Sequence, residues 1–302
     1  MSLTDRLIRA GLCLLAGLLA ALAHPPFGFW PGFLGYALLL LQVDGAEGRG
    51  RLLSAFGAGW LAGLVYFLIG CWWVSEAFGV FPEVAWMGPF AALLMGGGLA
   101  LFWGFGALVY RLIAPNSLAR PIVFAAVLSG FEWLRGHIFT GFPWNLPGEA
   151  WTAGSAPSQA AALVGAYGLT FITLFAWTCF TPLLQPGNRK RRVGVAVLGA
   201  LTLIALYVGG AVRLMQAQVH NSRTVVRVVQ PDVDQEAKWS KSSFQRVVSR
   251  YVNLTARAGD LDPDVVIWPE GALPVTLEDQ RALGVDRAIA SALRPEIGRA
   301  HV

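Results

Sequence analysis

The chain has 302 residues, of which 55% are hydrophobic and only 14% charged, with 12 Trp, 18 Phe and 35 Gly. Soluble domains carry about 25% charged residues, so a chain this poor in charge cannot cover a water-facing globule of its size. The net charge of +5 comes mainly from arginines flanking apolar stretches, which indicates orientation in a membrane and not a nucleic-acid footprint.

The charges are unevenly placed. Residues up to Val212 hold 11 Lys/Arg and 7 Asp/Glu, whereas the last 90 residues hold 12 and 11, so a membrane domain (1–212) precedes a soluble one (220–296). About seven apolar runs, at roughly 7–23, 27–43, 52–74, 84–113, 121–134, 159–184 and 193–212, are candidates to cross about 30 Å of hydrocarbon. Without water to satisfy the backbone, each is expected to be helical. The second contains Pro31 and several glycines and the fifth is short; both are expected to be tilted, broken or packed inside the bundle.

The connections carry an orientation signal. Arg6, Arg9, Arg49, Arg51, Arg111, Arg120, Arg189, Lys190, Arg191 and Arg192 fall before the first run and after the second, fourth and sixth, while the alternate connections contribute only Arg135. Lys and Arg accumulate in cytoplasmic loops, so the N-terminus is expected in the cytoplasm and the soluble part on the far side. Two arginines, an apolar stretch and Ala21-Leu22-Ala23 also resemble a cleavable signal peptide; the topology downstream is the same, and a retained helix is the expectation.

In the soluble part, the β-branched run Thr224–Gln230 suits a buried strand. After the turn signal Pro231-Asp232, Phe244, Val247, Val248, Tyr251 and Leu254 recur at helical spacing and predict an amphipathic helix. Asp264–Trp268 reads as a second buried strand, stopped by Pro269. Thr276 followed by Asp279 predicts a cap opening a further helix toward Arg294. Strand, helix, strand, helix is the beginning of an α/β domain, but two strands and two helices cannot enclose a core.

Candidate chemical groups are few. Glu270 stands at the end of a predicted strand between Pro269 and Pro274, where α/β folds build their sites and where partial desolvation raises a carboxylate toward a useful general base; a solvated loop glutamate is the alternative. Trp239, after Gln230–Lys238, lines a pocket for an acyl chain or headgroup, or is an interfacial or core anchor. Glu132 and Arg135 share one helical face near a span end, paired with each other or holding the Thr140-Gly-Phe-Pro-Trp-Asn145 loop against the bundle. Cys13, Cys71 and Cys179 lie in apolar stretches as small buried hydrophobes. His24 reads as a loop residue; His137, His220 and His301 are too scattered for a metal site, and no glycine-rich phosphate loop follows a strand. No metal or other cofactor is expected.

Several motifs in order resemble the bacterial apolipoprotein N-acyltransferases, membrane proteins with a domain of the carbon–nitrogen hydrolase (nitrilase) superfamily. They are Pro26-Phe-Gly-Phe-Trp-Pro31, Gly57-Ala-Gly-Trp-Leu61, Glu132-Trp-Leu-Arg-Gly136 with Thr140–Asn145, Gly165-Ala-Tyr-Gly-Leu169, Val229-Gln230 through Lys238-Trp239, and Ile267-Trp-Pro-Glu270. The resemblance implies a polytopic α-helical membrane bundle followed by the N-terminal part of an α/β nitrilase-like αββα sandwich, in the bacterial inner membrane with the catalytic domain periplasmic. It implies acyl transfer from a membrane phospholipid, through a cysteine thioester, to the α-amino group of a diacylglyceryl apolipoprotein, by a Glu-Lys-Cys triad. Glu270 matches the general base and Trp239 a substrate-site residue. Gly271 departs from the Ser or Thr common after that glutamate.

The triad lysine and cysteine have no counterpart in this chain, since Lys238 and Lys241 precede the glutamate. The chain is therefore expected to be a C-terminally truncated, inactive fragment. Ile297–Val302 is similar to one reading frame of a sequencing-library adapter, so 297–302 is expected to be non-native. Two other readings stay open: a membrane-anchored nitrilase-like amidase, with water as acceptor, and a polytopic transporter or scaffold, which would favour ionisable residues buried mid-span.

Overall fold

A computed structural model describes residues 2–79, 82–218, 221–233, 242–259 and 261–293. Trp239, Lys238, Lys241, His220, His301 and the 297–302 tail lie outside the described residues. The chain divides into two compact units, Met1–Ala217 and Gln218–Val302.

The first unit is helical throughout. Its helices are α1 (Leu3–Leu22), α2 (Leu34–Asp44), α3 (Arg51–Gly70), the short α4 (Glu76–Gly79), α5 (Gly88–Ile113), α6 (Arg120–Arg135), α7 (Ala161–Thr178) and α8 (Arg189–Gln216). All seven apolar runs fall on helices. Among the described residues, four stretches are long and apolar enough to cross a membrane: Arg51–Gly70, Ala85–Ile113, Pro157–Leu184 and Arg189–Gln216. The second run is broken as expected. A 3-10 turn, Trp30–Phe33, uses Pro31 near its start, and only 11 residues of α2 follow, or about 16 Å of helix at 1.5 Å per residue. Most of α2 is buried, so it packs inside the bundle. The last helix runs from Arg189 to Gln216, beyond its apolar run at both ends, and Asn188 caps its start by accepting from the Arg191 N–H.

Small residues set the helix packing. A Cβ added at Gly17 of α1 would lie 2.0 Å from the Ala62 carbonyl oxygen of α3, and one at Gly59 would lie 2.3 Å from the Trp103 carbonyl oxygen of α5. Gly59 and Gly63 form a Gly-x-x-x-Gly face against Ala100 and Trp103. In lipid, where no hydrophobic force drives helices together, such close backbone approach supplies the dispersion contacts that hold a bundle. Within α7, Gly165 takes a left-handed φ of 70° and kinks the helix, a conformation that glycine adopts at least cost.

The arginine-bearing helix ends meet one another. Arg9 donates to the Gln42 carbonyl (2.6 Å), Arg111 to the Ala46 carbonyl (3.1 and 3.0 Å), and Arg120 pairs with Asp44 (3.3 Å). Asp44 also accepts from Tyr110 (2.8 Å) and Gln185 (2.9 Å). These contacts gather the ends of α2, α5 and α7 with the starts of α1 and α6, as alternating helices require.

The second unit contains β1 (Val226–Val228), α9 (Phe244–Ala256), β2 (Val265–Ile267), α10 (Leu277–Ala282) and α11 (Val285–Ala292). The strands pair in parallel, with Val226 opposite Val265 and Val228 opposite Ile267. The helix predicted from Phe244 forms, and it buries Val247, Val248, Tyr251 and Thr255. Thr276 caps α10 by accepting from Asp279 N–H, but the helix expected to run to Arg294 divides at Gly284, whose φ of 71° ends one helical segment before the next. The expected burial of both strands is not met. Val226, Val228 and Ile267 are exposed because they share one face of a two-stranded sheet that no described element covers. The opposite face, with Val266, packs on α9.

Candidate functional site

Parallel pairing puts the carboxyl ends of β1 and β2 at the same edge of the sheet, the edge at which α/β folds bind ligands. The chain leaves β2 through Trp268, whose ring lies 4.6 Å from that of Tyr251 and whose Nε1–H donates to Thr255 Oγ1 (2.9 Å). Thr255 in turn donates to the Tyr251 carbonyl (2.8 Å), and its own carbonyl accepts from Arg227 of β1 (2.8 Å). Helix α9 therefore fixes the residue from which the Glu270 turn departs.

That turn closes with Ala272 N–H donating to the Pro269 carbonyl (3.1 Å). Its third residue, Gly271, has a φ of 62°. A residue with a Cβ is disfavoured in this region, so the glycine after Glu270 has a local conformational cause. The Glu270 side chain itself is exposed. The desolvation expected at this position is not supplied by the described residues, because the turn projects beyond the single layer that α9 covers. A cavity of about 330 Å³ in this unit, beside Arg227, Gln230 and Arg257, does not include Glu270.

The membrane unit contains a polar cluster that sequence reasoning resolved only in part. Glu132 and Arg135 of α6 form an ion pair with both side chains fully buried. The expected pairing is present, and protein surrounds both side chains. Glu132 Oε2 accepts from Arg135 Nε (3.1 Å) and Nη2, and Oε1 accepts from Trp103 Nε1 of α5 (2.5 Å). The guanidinium lies 4.8 Å from the centre of the Phe67 ring and donates through Nη1 to the Phe142 carbonyl. Arg135 thus holds the 136–145 loop, as anticipated for the loop-anchoring alternative, while it neutralises Glu132. Phe139 and Thr140 have φ values of 52° and 75° in that loop; such strain in non-glycine residues persists only where the surroundings enforce it.

A second chain of hydrogen bonds reaches the same loop. Tyr66 donates to the Asn145 carbonyl (2.7 Å), so its oxygen accepts from His24 Nε2–H, also at 2.7 Å. His24 is a turn residue, as expected, but a buried one; burial pushes its imidazole down to about 4. Beyond the loop, Glu149 accepts from the Leu146 N–H (2.9 Å), and burial raises its carboxyl above the ordinary value against that bond. Cys13, Cys71 and Cys179 are buried in the membrane unit, and among the described residues no His, Cys, Asp and Glu group could hold a metal ion. Trp103, Tyr66 and Phe67 gave no sign of these roles in the sequence, since each is an aromatic residue inside an apolar run.

These features define a class of protein: a polytopic helical membrane unit joined in one chain to a parallel α/β unit. Residues 16–179 match the family described as the Apolipoprotein N-acyltransferase N-terminal domain, and the chain belongs to that family. It is 51% identical over 288 residues to the apolipoprotein N-acyltransferase of Caulobacter vibrioides, covering 94% of this chain and 54% of that protein. The protein of the same name from Brucella melitensis is 37% identical over 285 residues (89% and 53%), and that from Rhizobium leguminosarum bv. trifolii 36% over 303 residues (92% and 56%). The chain spans about half the length of these curated relatives. A match covering 94% of the chain cannot be confined to the membrane unit and extends into the α/β unit.

Proposed function

We propose that this chain supplies the membrane unit and the opening of the catalytic unit of an apolipoprotein N-acyltransferase of the bacterial inner membrane. Its N-terminus is cytoplasmic, and its α/β unit is periplasmic and nitrilase-like. In the reaction, a cysteine thiolate attacks an acyl ester of a phospholipid, and lysophospholipid leaves with the proton that Glu270 had accepted from the thiol. The α-amino group of a diacylglyceryl apolipoprotein then attacks the thioester. Glu270 takes the amine proton and returns it to the departing thiol, so the relay divides one difficult transfer into two easier ones.

The observation that carries this reading is the 51% identity extending over 94% of the chain, which takes in both the membrane unit and the strand–turn segment bearing Glu270. The exposed carboxylate at the carboxyl edge of the parallel pair fits a base that meets its substrates with the remainder of the site in place. Trp239 contributes to the substrate pocket on the same reading. The required thiol and lysine belong to the part of the relatives' length that this chain does not span. A transporter is disfavoured because the buried pair Glu132 and Arg135 neutralise each other and are held by Trp103 and the Phe142 carbonyl, so this buried pair offers no free charge to a cargo.

The test is complementation of lipoprotein N-acylation by a full-length gene carrying this segment, with and without Glu270→Gln. Loss of N-acylation in the variant at unchanged protein level is the expected result, and full complementation would remove Glu270 from the mechanism. The purified 302-residue chain should form no thioester with phosphatidylethanolamine.

A further inference from the structure

At the arginine-rich end of the membrane unit, a cavity of about 710 Å³ opens between the α5–α6 connection and the start of α8, lined by Asn116, Arg120, Gln185, Asn188, Arg191 and Arg192 among others. No carboxylate lines it. Arg120 is engaged by Asp44 (3.3 Å) and by the Pro115 carbonyl (3.0 Å), and Asp44 is further occupied by Tyr110 and Gln185. The other two guanidiniums have no such counter-charge: among the described residues, neither Arg191 nor Arg192 enters an ion pair. Arg192 donates through Nη1 to the Gln185 carbonyl, but its Nε is buried without an acceptor. A buried donor lacking an acceptor is costly, and here it lies in a cationic cavity. Asn188 accepts from the Arg191 N–H at the start of α8, and the charged side chains of the wall are all cations.

A cavity of this kind calls for a compact anion with several acceptor oxygens, for which guanidinium groups have matching geometry. Its surroundings indicate what carries the anion. Leu118, in the cavity wall, and Leu183 and Leu184 beside it are exposed on the flank of the bundle, where acyl chains lie against a membrane protein. We propose that this cavity binds the phosphate of an anionic phospholipid in the leaflet at the arginine-rich end of the bundle, with Arg191 and Arg192 as its ligands. The site is separate from the acyl-transfer chemistry assigned to Glu270 and does not depend on it. It also differs from the general excess of positive charge in these connections, because it assigns the affinity to two of the ten cations.

The purified 302-residue chain in detergent, titrated with phosphatidylglycerol and with phosphatidylcholine of the same acyl chains and read by native mass spectrometry, tests this directly. Phosphatidylglycerol should be retained at least about fivefold more tightly, and the double variant R191Q/R192Q should bring it to the phosphatidylcholine level. The double variant R49Q/R51Q, which removes the same charge at the same end but outside the cavity, should retain the preference. Because Arg192→Gln also removes the bond to the Gln185 carbonyl, the single variant Arg191→Gln provides a check that leaves that bond intact, and it should weaken phosphatidylglycerol about two- to threefold. Equal losses in both double variants, no preference in the parent chain, or no effect of Arg191→Gln would overturn the assignment. Displacement of the lipid by 10 mM inorganic phosphate would show a site for the free anion and overturn the lipid as occupant.

Discussion

Replacing Arg135 with leucine removes a cation whose partners are all inside the protein. Glu132 would remain fully buried, with the Trp103 N–H as its one remaining side-chain donor among the described residues. Breaking a buried pair by deleting one partner costs about 3–5 kcal/mol, because the surviving charge is uncompensated. For a unit of this size, at about 2–4 °C per kcal/mol, the apparent Tm should fall by roughly 6–20 °C. The double variant Glu132→Leu/Arg135→Leu removes both charges, and apolar replacement of a whole buried pair is often neutral or better. It should recover most of the loss but not all, since the Phe142 carbonyl and the Trp103 N–H lose partners worth about 1 kcal/mol each. Thermal unfolding in detergent of the parent chain, both single leucine variants and the double variant supplies the full cycle. Limited proteolysis should also show earlier cleavage in 136–145 for Arg135→Leu, because that side chain holds the Phe142 carbonyl. A loss below about 1 kcal/mol, or a double variant no more stable than Arg135→Leu, would refute the view that the pair is a mutually dependent clamp.

The remaining predictions concern other contacts. Gly59→Val places a branched side chain where even a Cβ would lie 2.3 Å from the Trp103 carbonyl oxygen; α3 and α5 must separate, and the variant should unfold at least about 3 kcal/mol more easily, beyond the usual cost of overpacking, whereas Gly57→Val, in open space, should change little. His24 has a folded-state value of about 4 against an ordinary 6.5, so its stabilising contribution is complete above pH 6.5 and is lost as pH falls toward 4. At about 1.36 kcal/mol per unit, the loss is about 3 kcal/mol, and the stability difference between parent and His24→Gln should narrow by that amount over this interval; a constant difference would show that His24 does not titrate as a buried neutral group. Trp268→Phe keeps the ring contact with Tyr251 but loses the bond to Thr255, and should lower the stability of the α/β unit by about 1 kcal/mol in urea unfolding monitored by far-ultraviolet circular dichroism.

The helical layout was legible because apolar runs and flanking arginines act over many residues, and local errors leave the pattern intact. The amphipathic helix α9 was legible for the same reason: Val247, Val248 and Tyr251 declare one face at the helical period. The break at Gly284 was harder to read, because an isolated glycine is tolerated inside many helices and only its left-handed backbone ends this one. A β-branched run specifies a strand without specifying how many faces are covered, and here the face with Val226, Val228 and Ile267 is exposed. At Glu270, the sequence marked the strand end correctly, but exposure depends on what packs over the turn.

The membrane cluster shows why pair patterns carry further than single residues. Glu132 and Arg135, three apart on a helix, announce a contact that helical geometry alone can deliver. Trp103 lies 29 residues from Glu132, and Tyr66 lies 79 from Asn145; nothing local distinguishes those aromatics from neighbours that only fill space. What brings them into place is the close packing of α3 on α5 through Gly59 and Gly63. Helix approach sets the positions of the donors, the donors satisfy the buried pair, and the pair holds a loop containing left-handed Phe139 and Thr140. Loss of a small residue on α3 should therefore loosen that loop as surely as loss of Arg135. Gly59→Val should reproduce the protease sensitivity of Arg135→Leu in 136–145, although it touches none of that loop's hydrogen bonds. If Gly59→Val destabilises the bundle while the loop stays protected below the unfolding transition, helix packing and loop anchoring are independent, and the proposed order of cause is wrong.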